Sequence, residues 1–239
     1  MTLSNERSFE VPVPVERAWT AMTDPKELNL WYFPVEAVGD DGSIRAEICG
    51  VERTSEVVGG ELHRFFHTRT RLSGREGFGV VMGTREMRVA FAPTARGTRI
   101  TITQSGWPDT PEGDCDRRAT AHGSRESIAD LELYLRTGVP FPRHHHGVHC
   151  DLGLSLCEGP AGLEVRAVQP GAFGERVGLA AGDLLVELDG ASLFGFAEVA
   201  FFTKLRRAGD KARARWIRDG ALHEGEAELR ERIVPGPGA

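Results

Sequence analysis

The chain has 239 residues, 40% hydrophobic and 27% charged, with a net charge of −6. That fits one or two globular domains at roughly 100–200 residues each, and the acidic balance argues against nucleic acid as a partner. No apolar run approaches the ~20 residues that span a bilayer, no basic-then-apolar leader opens the chain, and Cys49, Cys115, Cys150 and Cys157 form no CxxC pair, so the expectation is a cytoplasmic protein with reduced thiols and no membrane span.

In chain order, Ser8–Pro14 alternates like a strand. Val15, Ala18, Trp19 and Met22 share a helical face that Asp24-Pro25 closes. A short helix over Lys26–Trp31 follows. Trp19 and Trp31 read as core packing, with Trp31 to Phe33 as a cavity lip in the alternative reading. Strands are expected over Ser43–Cys49, Glu61–Leu72, Thr84–Ala92 and Thr98–Ser105, the last two joined by a turn at Ala95-Arg96-Gly97. Met87, Val89 and Phe91 face inward, and Ile100, Ile102 and Gln104 share a side. Arg75–Gly83 reads as a mobile loop and Asp109–Asp116 as a polar one. Thr120–Thr137 is a helix with a stripe of Ile128, Leu131 and Leu135, stopped by Gly138 and Pro140.

The polar residues of this half offer several readings. His63 and His67, four apart in one expected strand, share a face and read as solvated. His122 and Glu126 form an i, i+4 pair. Glu47, Arg69, Glu86, Gln104 and His122 are candidates to point polar groups into a cavity. No Gly-x-Ser-x-Gly elbow and no HExxH is present.

The order strand, two helices, antiparallel strands, long helix is an α+β layout whose sheet must curl over the last helix. ERSFEVPVPVERAWTAMTDPKELNLWYFP, with GTRITITQSGW and HGSRESIADLELYLRTG, resembles the START-like (SRPBCC, helix-grip) superfamily, nearest the branch related to activators of the Hsp90-type chaperone ATPase. The resemblance covers residues 1–138. It implies a curled antiparallel sheet gripping a long C-terminal helix, with a cavity between them for a small hydrophobic molecule. The lining it suggests is Trp31, Phe33, Glu47, Arg69, Met87, Phe91, Ile102, Gln104, Ser124, Ile128 and Leu131. Ser124 stands where relatives often carry a bulky aromatic, which predicts a wider roof unless Trp107 or Phe78 fills the space.

Residues 139–147 form a Pro-bearing linker. His144, His145, His146, His149 and Cys150 read as a polar boundary segment, with metal binding as the alternative; successive residues of an extended chain point opposite ways. No metal and no cofactor is expected.

The second module punctuates short elements with turns. Strands are expected over Leu163–Val168, Leu184–Leu188, Ala212–Arg218 and His223–Leu229. Helices are expected over Ala172–Val177 and Phe196–Arg207, the latter with Val199, Phe202 and Leu205 inward. Leu152-Gly153-Leu154, Gly178-Leu179, Gly182-Asp183-Leu184-Leu185, Asp189-Gly190 and Arg218-Asp219-Gly220 together resemble a PDZ domain of the bacterial HtrA-like type over residues 148–232, leaving 233–239 as a disordered tail. The resemblance implies a small β-barrel-like sandwich with two helices that binds the C-terminal or extended peptide of a protein partner. Leu152, Gly153 and Leu154 would cradle the peptide carboxylate, Ser155 and Leu156 would continue the docking strand, and Phe196, Ala200 and Thr203 would line the far wall. No protease constellation accompanies it. The expected function is a non-catalytic binding or adaptor protein. The alternative is a cyclase- or hydrolase-like enzyme working in the first-domain cavity.

Overall fold

The structure, a computed structural model, describes residues 2–38, 42–48, 51–74, 80–140, 150–159 and 162–231. The chain divides into two compact units, the first carrying Met1–Arg75 and Val81–His145, the second His146–Ala239.

The first unit runs β1 (Thr2–Val11), α1 (Val15–Thr23), α2 (Pro25–Trp31), β2 (Val35–Ala37), β3 (Ile44–Ile48), β4 (Val51–Glu61), β5 (Phe65–Gly74), β6 (Gly83–Thr94), β7 (Gly97–Pro108) and α3 (Pro111–Thr137). The strands form one antiparallel seven-stranded sheet in the order β1-β7-β6-β5-β4-β3-β2. The sheet curls over α3, which packs on β1 and β7, while α1 and α2 close one end. This is a helix-grip arrangement. Its core joins Val89, Phe91, Ile100 and Phe66 of the sheet to Leu131, Tyr134 and Leu135 of α3 and to Ala18, Ala21 and Leu28 of the small helices. Trp31 belongs to this core, its Nε1 donating to the Ala21 carbonyl at 2.9 Å.

Local chemistry sets the ends of the elements. Asp24 caps α2, accepting from Lys26 N at 2.8 Å, and Pro25 takes the first helical position. Thr110 caps α3 in the same way, accepting from Gly113 N at 3.1 Å ahead of Pro111. The segment expected as a polar loop, Asp109–Asp116, is therefore mostly the first turns of α3: Pro111 and Gly113 read as loop residues, but at a helix start proline forfeits no hydrogen bond. Gly138, at φ +67°, ends α3 as expected.

Two other expectations fail. The long strand over Glu61–Leu72 is broken by a turn at Leu62–Arg64, so β4 and β5 are a hairpin. His63 takes φ +59° in that turn, which has no glycine to announce it, and Arg64 N donates to Glu61 O at 2.9 Å. His63 consequently shares no strand with His67; its ring meets Trp19 edge-on at 5.8 Å.

The second unit runs β8 (Leu154–Gly159), β9 (Gly162–Val168), α4 (Phe173–Val177), β10 (Leu184–Leu188), β11 (Ala191–Ser192), α5 (Phe196–Leu205), β12 (Lys211–Arg218) and β13 (Ala221–Glu228). The sheet order is β13-β12-β10-β9-β8, with β11 paired to β10. Leu163, Val165, Phe173, Leu185 and Leu188 are fully buried in its core. Val199 and Phe202 of α5 pack against that core, whereas Leu205, expected inward, is 63% exposed at the end of the helix. Arg218 closes the unit by a two-pronged pair with buried Asp183, 2.7 Å on each oxygen.

Cys150 is free, and burial pushes its thiol up to about 11. No helix among the described residues is long and apolar enough to cross a membrane. Phe78, Cys49, the histidines at 144–146 and 149, and residues 233–239 lie outside the described residues. Among the described residues no three His, Cys, Asp or Glu side chains gather as a metal site.

Candidate functional sites

Strand alternation divides each side chain of the first sheet between two faces. The register aligns Val57, Thr68, Met87, Gln104 and Asn5 across β4, β5, β6, β7 and β1; the next rung holds Phe66, Val89, Ile102 and Arg7. These face α3. Asn5 exchanges hydrogen bonds with Arg117, Arg7 donates to the Ala121 carbonyl at 2.9 Å, and Ser124 Oγ reaches Gln104 Oε1 at 3.4 Å.

The concave face is filled unevenly. Val89 and Ile100 are 0% exposed, yet Met87 and Ile102, one inward step along the same strands, are only half-buried. Above them α3 presents small and polar side chains, Thr120, Gly123, Ser124 and Ser127, before Ile128 and buried Leu131. Trp107 does not fill this stretch. It packs against the Arg85 guanidinium at 5.3 Å, and Arg85 pairs with Asp116 at 2.9 Å, about 12 Å before Ser124 along the helix. At the other end Tyr134 donates to Glu27 at 2.7 Å, and Arg17 donates to the same oxygen. Burial, with the Glu27 bond, raises the Tyr134 pKa.

Met87, Phe91, Ile102, Gln104, Ser124, Ile128 and Leu131 thus lie along the sheet–helix contact, Phe91 and Leu131 inside the core and the others half-buried. Phe33 is half-buried beyond α2. Glu47 and Arg69 do not belong to this face. Each follows an inward residue, Ala46 or Thr68, and points to the convex side. There Arg69 meets Glu86 at 2.9 Å and Glu56 at 3.5 Å, and His67 meets Glu86 at 2.6 Å. Burial alone would raise Glu86, but Arg69 and His67 outweigh it and hold its carboxyl low. His122 pairs with Glu126 at 3.8 Å on α3. The five polar cavity candidates are therefore not brought together. The sequence put Arg85 on the inward side with Met87 but missed the inward polar residues Asn5, Arg7, Arg53, Ser55, Thr68 and Thr70; in-phase alternation with Val51, Phe66 and Leu72 was the signal that could have found most of them.

In the second unit β8 is the last strand of its sheet, and α5 is tied to it where Phe196 N donates to Glu158 Oε1 at 2.7 Å. Thr203 is buried and its carbonyl accepts from Cys150 Sγ at 3.7 Å; Ala200 is half-buried. Ser155 and Leu156 are both buried in β8, Leu156 in the core. The loop before β8 differs from an open carboxylate cradle. Leu152 is core, its carbonyl accepting from Gly174 N. Gly153 N already donates to Asp151 Oδ1 at 2.8 Å, and Asp151 pairs with Arg230 at 3.0 Å. Gly153 sits at φ +63°, with Ala172 Cβ only 2.0 Å from where its own Cβ would be, so packing as well as backbone conformation demands glycine.

No family model and no curated protein matches the chain. Among solved structures, protein MLL2253 from Mesorhizobium loti is 22% identical, covering 57% of this chain and 98% of its own at a TM-score of 0.47. DynU16, from the dynemicin biosynthetic locus, is 16% identical over 94% of this chain and 80% of its own, TM-score 0.48. Ara h 8.0201 is 16% identical over 57% and 99%, TM-score 0.47. At these values their functions do not transfer to this chain.

Proposed function

We propose that the chain is a two-unit binding protein. The first unit holds a small apolar or amphipathic molecule between its sheet and α3. The observation that carries this is the half-burial of Met87 and Ile102 beside fully buried Val89 and Ile100. A sheet face packed to native density would bury these four inward side chains alike, and small side chains on the facing helix leave room instead of knobs. The START-like resemblance of residues 1–138 supports the same reading. The enzyme alternative loses the polar cluster that motivated it, since Glu47, Arg69 and Glu86 face away.

The second unit, in this proposal, is a PDZ-type module that adds an extended peptide beside β8, with Phe196, Ala200 and Thr203 of α5 as the far wall. The position of β8 at the end of its sheet and the Glu158–Phe196 tie support it. With the Gly153 N–H engaged by Asp151, the peptide's main chain supplies more of the binding than its terminal carboxylate does. Each unit is proposed to fold alone, 1–138 and 148–232.

Native mass spectrometry of the full chain purified from its host should show a retained small molecule, and the neutral dye Nile red should bind. Ser124→Trp should weaken dye binding while circular dichroism stays unchanged. A chain that carries nothing and binds no dye has no such site.

A further inference from the structure

The charges of the first sheet are sorted by face. Glu6, Glu10, Glu36, Glu47, Glu52, Glu56 and Glu86 all fall on the convex side, out of phase with the buried residues of their strands. Among the described residues the sheet's concave face carries no carboxylate; its charges are Arg7, Arg53 and Arg85. Arg7 is used by the Ala121 carbonyl. The two guanidinium ends of Arg85 are used by Asp116 and by the Val81 and Gly106 carbonyls. Arg53, on β4, has no carboxylate partner.

Three buried polar atoms on this face lack a hydrogen-bond partner: Arg53 Nε, Arg85 Nε and Thr68 Oγ1. Each can donate. Thr68 is 8% exposed. They follow one another along the β5 ladder: Thr68 is opposite Met87, Thr70 opposite Arg85, and Leu72 opposite Arg53. Inward positions on one strand are spaced about 7 Å apart, so the string begins beside half-buried Met87 and ends at Arg53. A buried donor left without an acceptor is costly, and a sheet face with surplus donors, opposite which the Asp116 carboxylate of α3 is already engaged by Arg85, is complementary to an anion.

Building on the small-molecule reading above, we propose that the ligand of this concavity is an amphipathic carboxylate. Its apolar body lies against Met87 and Ile102, its carboxylate is the counter-ion of Arg53, and the Thr68 hydroxyl donates to an oxygen nearer the body.

The test is displacement of Nile red from the full chain near neutral pH by decanoate, by decanol and by decylamine. Decanoate should compete roughly tenfold to a hundredfold better than decanol, the range of one charge-assisted hydrogen bond, and decylamine worst. Arg53→Met should erase the preference for decanoate and leave decanol unchanged, which also shows that the variant is folded; Arg53→Lys should retain part of it. If decanol matches decanoate in the wild-type protein, or if Arg53→Met leaves the preference intact, the carboxylate assignment is wrong although the cavity stands. If Nile red and all three competitors fail to bind, the cavity reading itself falls and this assignment with it.

Discussion

The two units treat the inward face of a sheet differently. In the second, Leu163 and Val165 of β9 and Leu185 and Leu188 of β10 are all fully buried, with Phe173 beside them. In the first, burial stops one inward position along each of β6 and β7, where Val89 gives way to Met87 and Ile100 to Ile102. Both faces bury apolar residues at inward positions. What differs is the covering element: Phe173, Val177 and Phe202 meet the second sheet with bulk, whereas the middle of α3 offers Gly123, Ser124 and Ser127. A filled face is a core; the face left short of side-chain volume is the one proposed to bind.

The sharpest way to break that comparison is truncation. Phe173→Ala should cost about 3–5 kcal/mol, whereas Met87→Ala, removing a half-buried side chain, should cost about 1 kcal/mol. Urea titration of both variants checks it, and equal losses would mean that the first face is packed after all. Of similar size is Asp116→Ala, about 3–5 kcal/mol, because it strands Arg85 without its partner. The double variant Arg85→Met with Asp116→Leu should recover much of the loss if the pair only clamps α3 to β6.

A smaller effect separates the units by pH. Burial alone would raise Asp183, but the Arg218 fork and the Ala180 N–H hold its carboxyl below the usual range. A carboxyl lowered on folding stabilises above its unfolded pKa, about 4, and that stabilisation is lost as pH falls through the lower folded value. The advantage of wild type over Asp183→Asn should therefore be full above about pH 4 and vanish in stronger acid. An advantage independent of pH would contradict it. Thermal melts across that range decide.

The smallest expected effect concerns the loop before β8. Amidating the carboxylate of a bound C-terminal peptide should weaken it less than about threefold in wild type, below the value of one charge-assisted bond. Asp151→Ala frees the Gly153 N–H and should widen that difference. Fluorescence titration of the free acid and the amide against both chains measures it. A tenfold amidation loss in wild type would show that Asp151 yields its place to the peptide.

Much of the fold was legible because its signals are local. Gly97 needed an unusual backbone angle, φ +142°, at the β6–β7 turn, and only glycine also clears the Val11 carbonyl 2.2 Å from its missing Cβ. The period of Ile128, Leu131 and Leu135 marked the buried face of α3, and β10 fell at Leu184–Leu188, just after the turn at Ala181-Gly182-Asp183. The turn at His63 was not legible, because a histidine at positive φ carries no compositional mark, and missing it placed His63 and His67 on one face. The start of α3 was missed because Pro111 and Gly113 break a helix interior yet suit its first turn.

The residues themselves determined which segments become strands or helices, where the long helix stops and which side chains seek burial, since these follow from propensity, period and capping within a few neighbours. Only the tertiary structure decided what those faces meet. Arg53 and Arg69 are equivalent in sequence, arginines in polar strands. A register with Ala46 and Leu72 turns one inward, without a carboxylate, and a register with Glu56 and Glu86 turns the other outward into an ion-pair cluster. That choice belongs to the pairing of strands, in which a one-residue shift exchanges the faces.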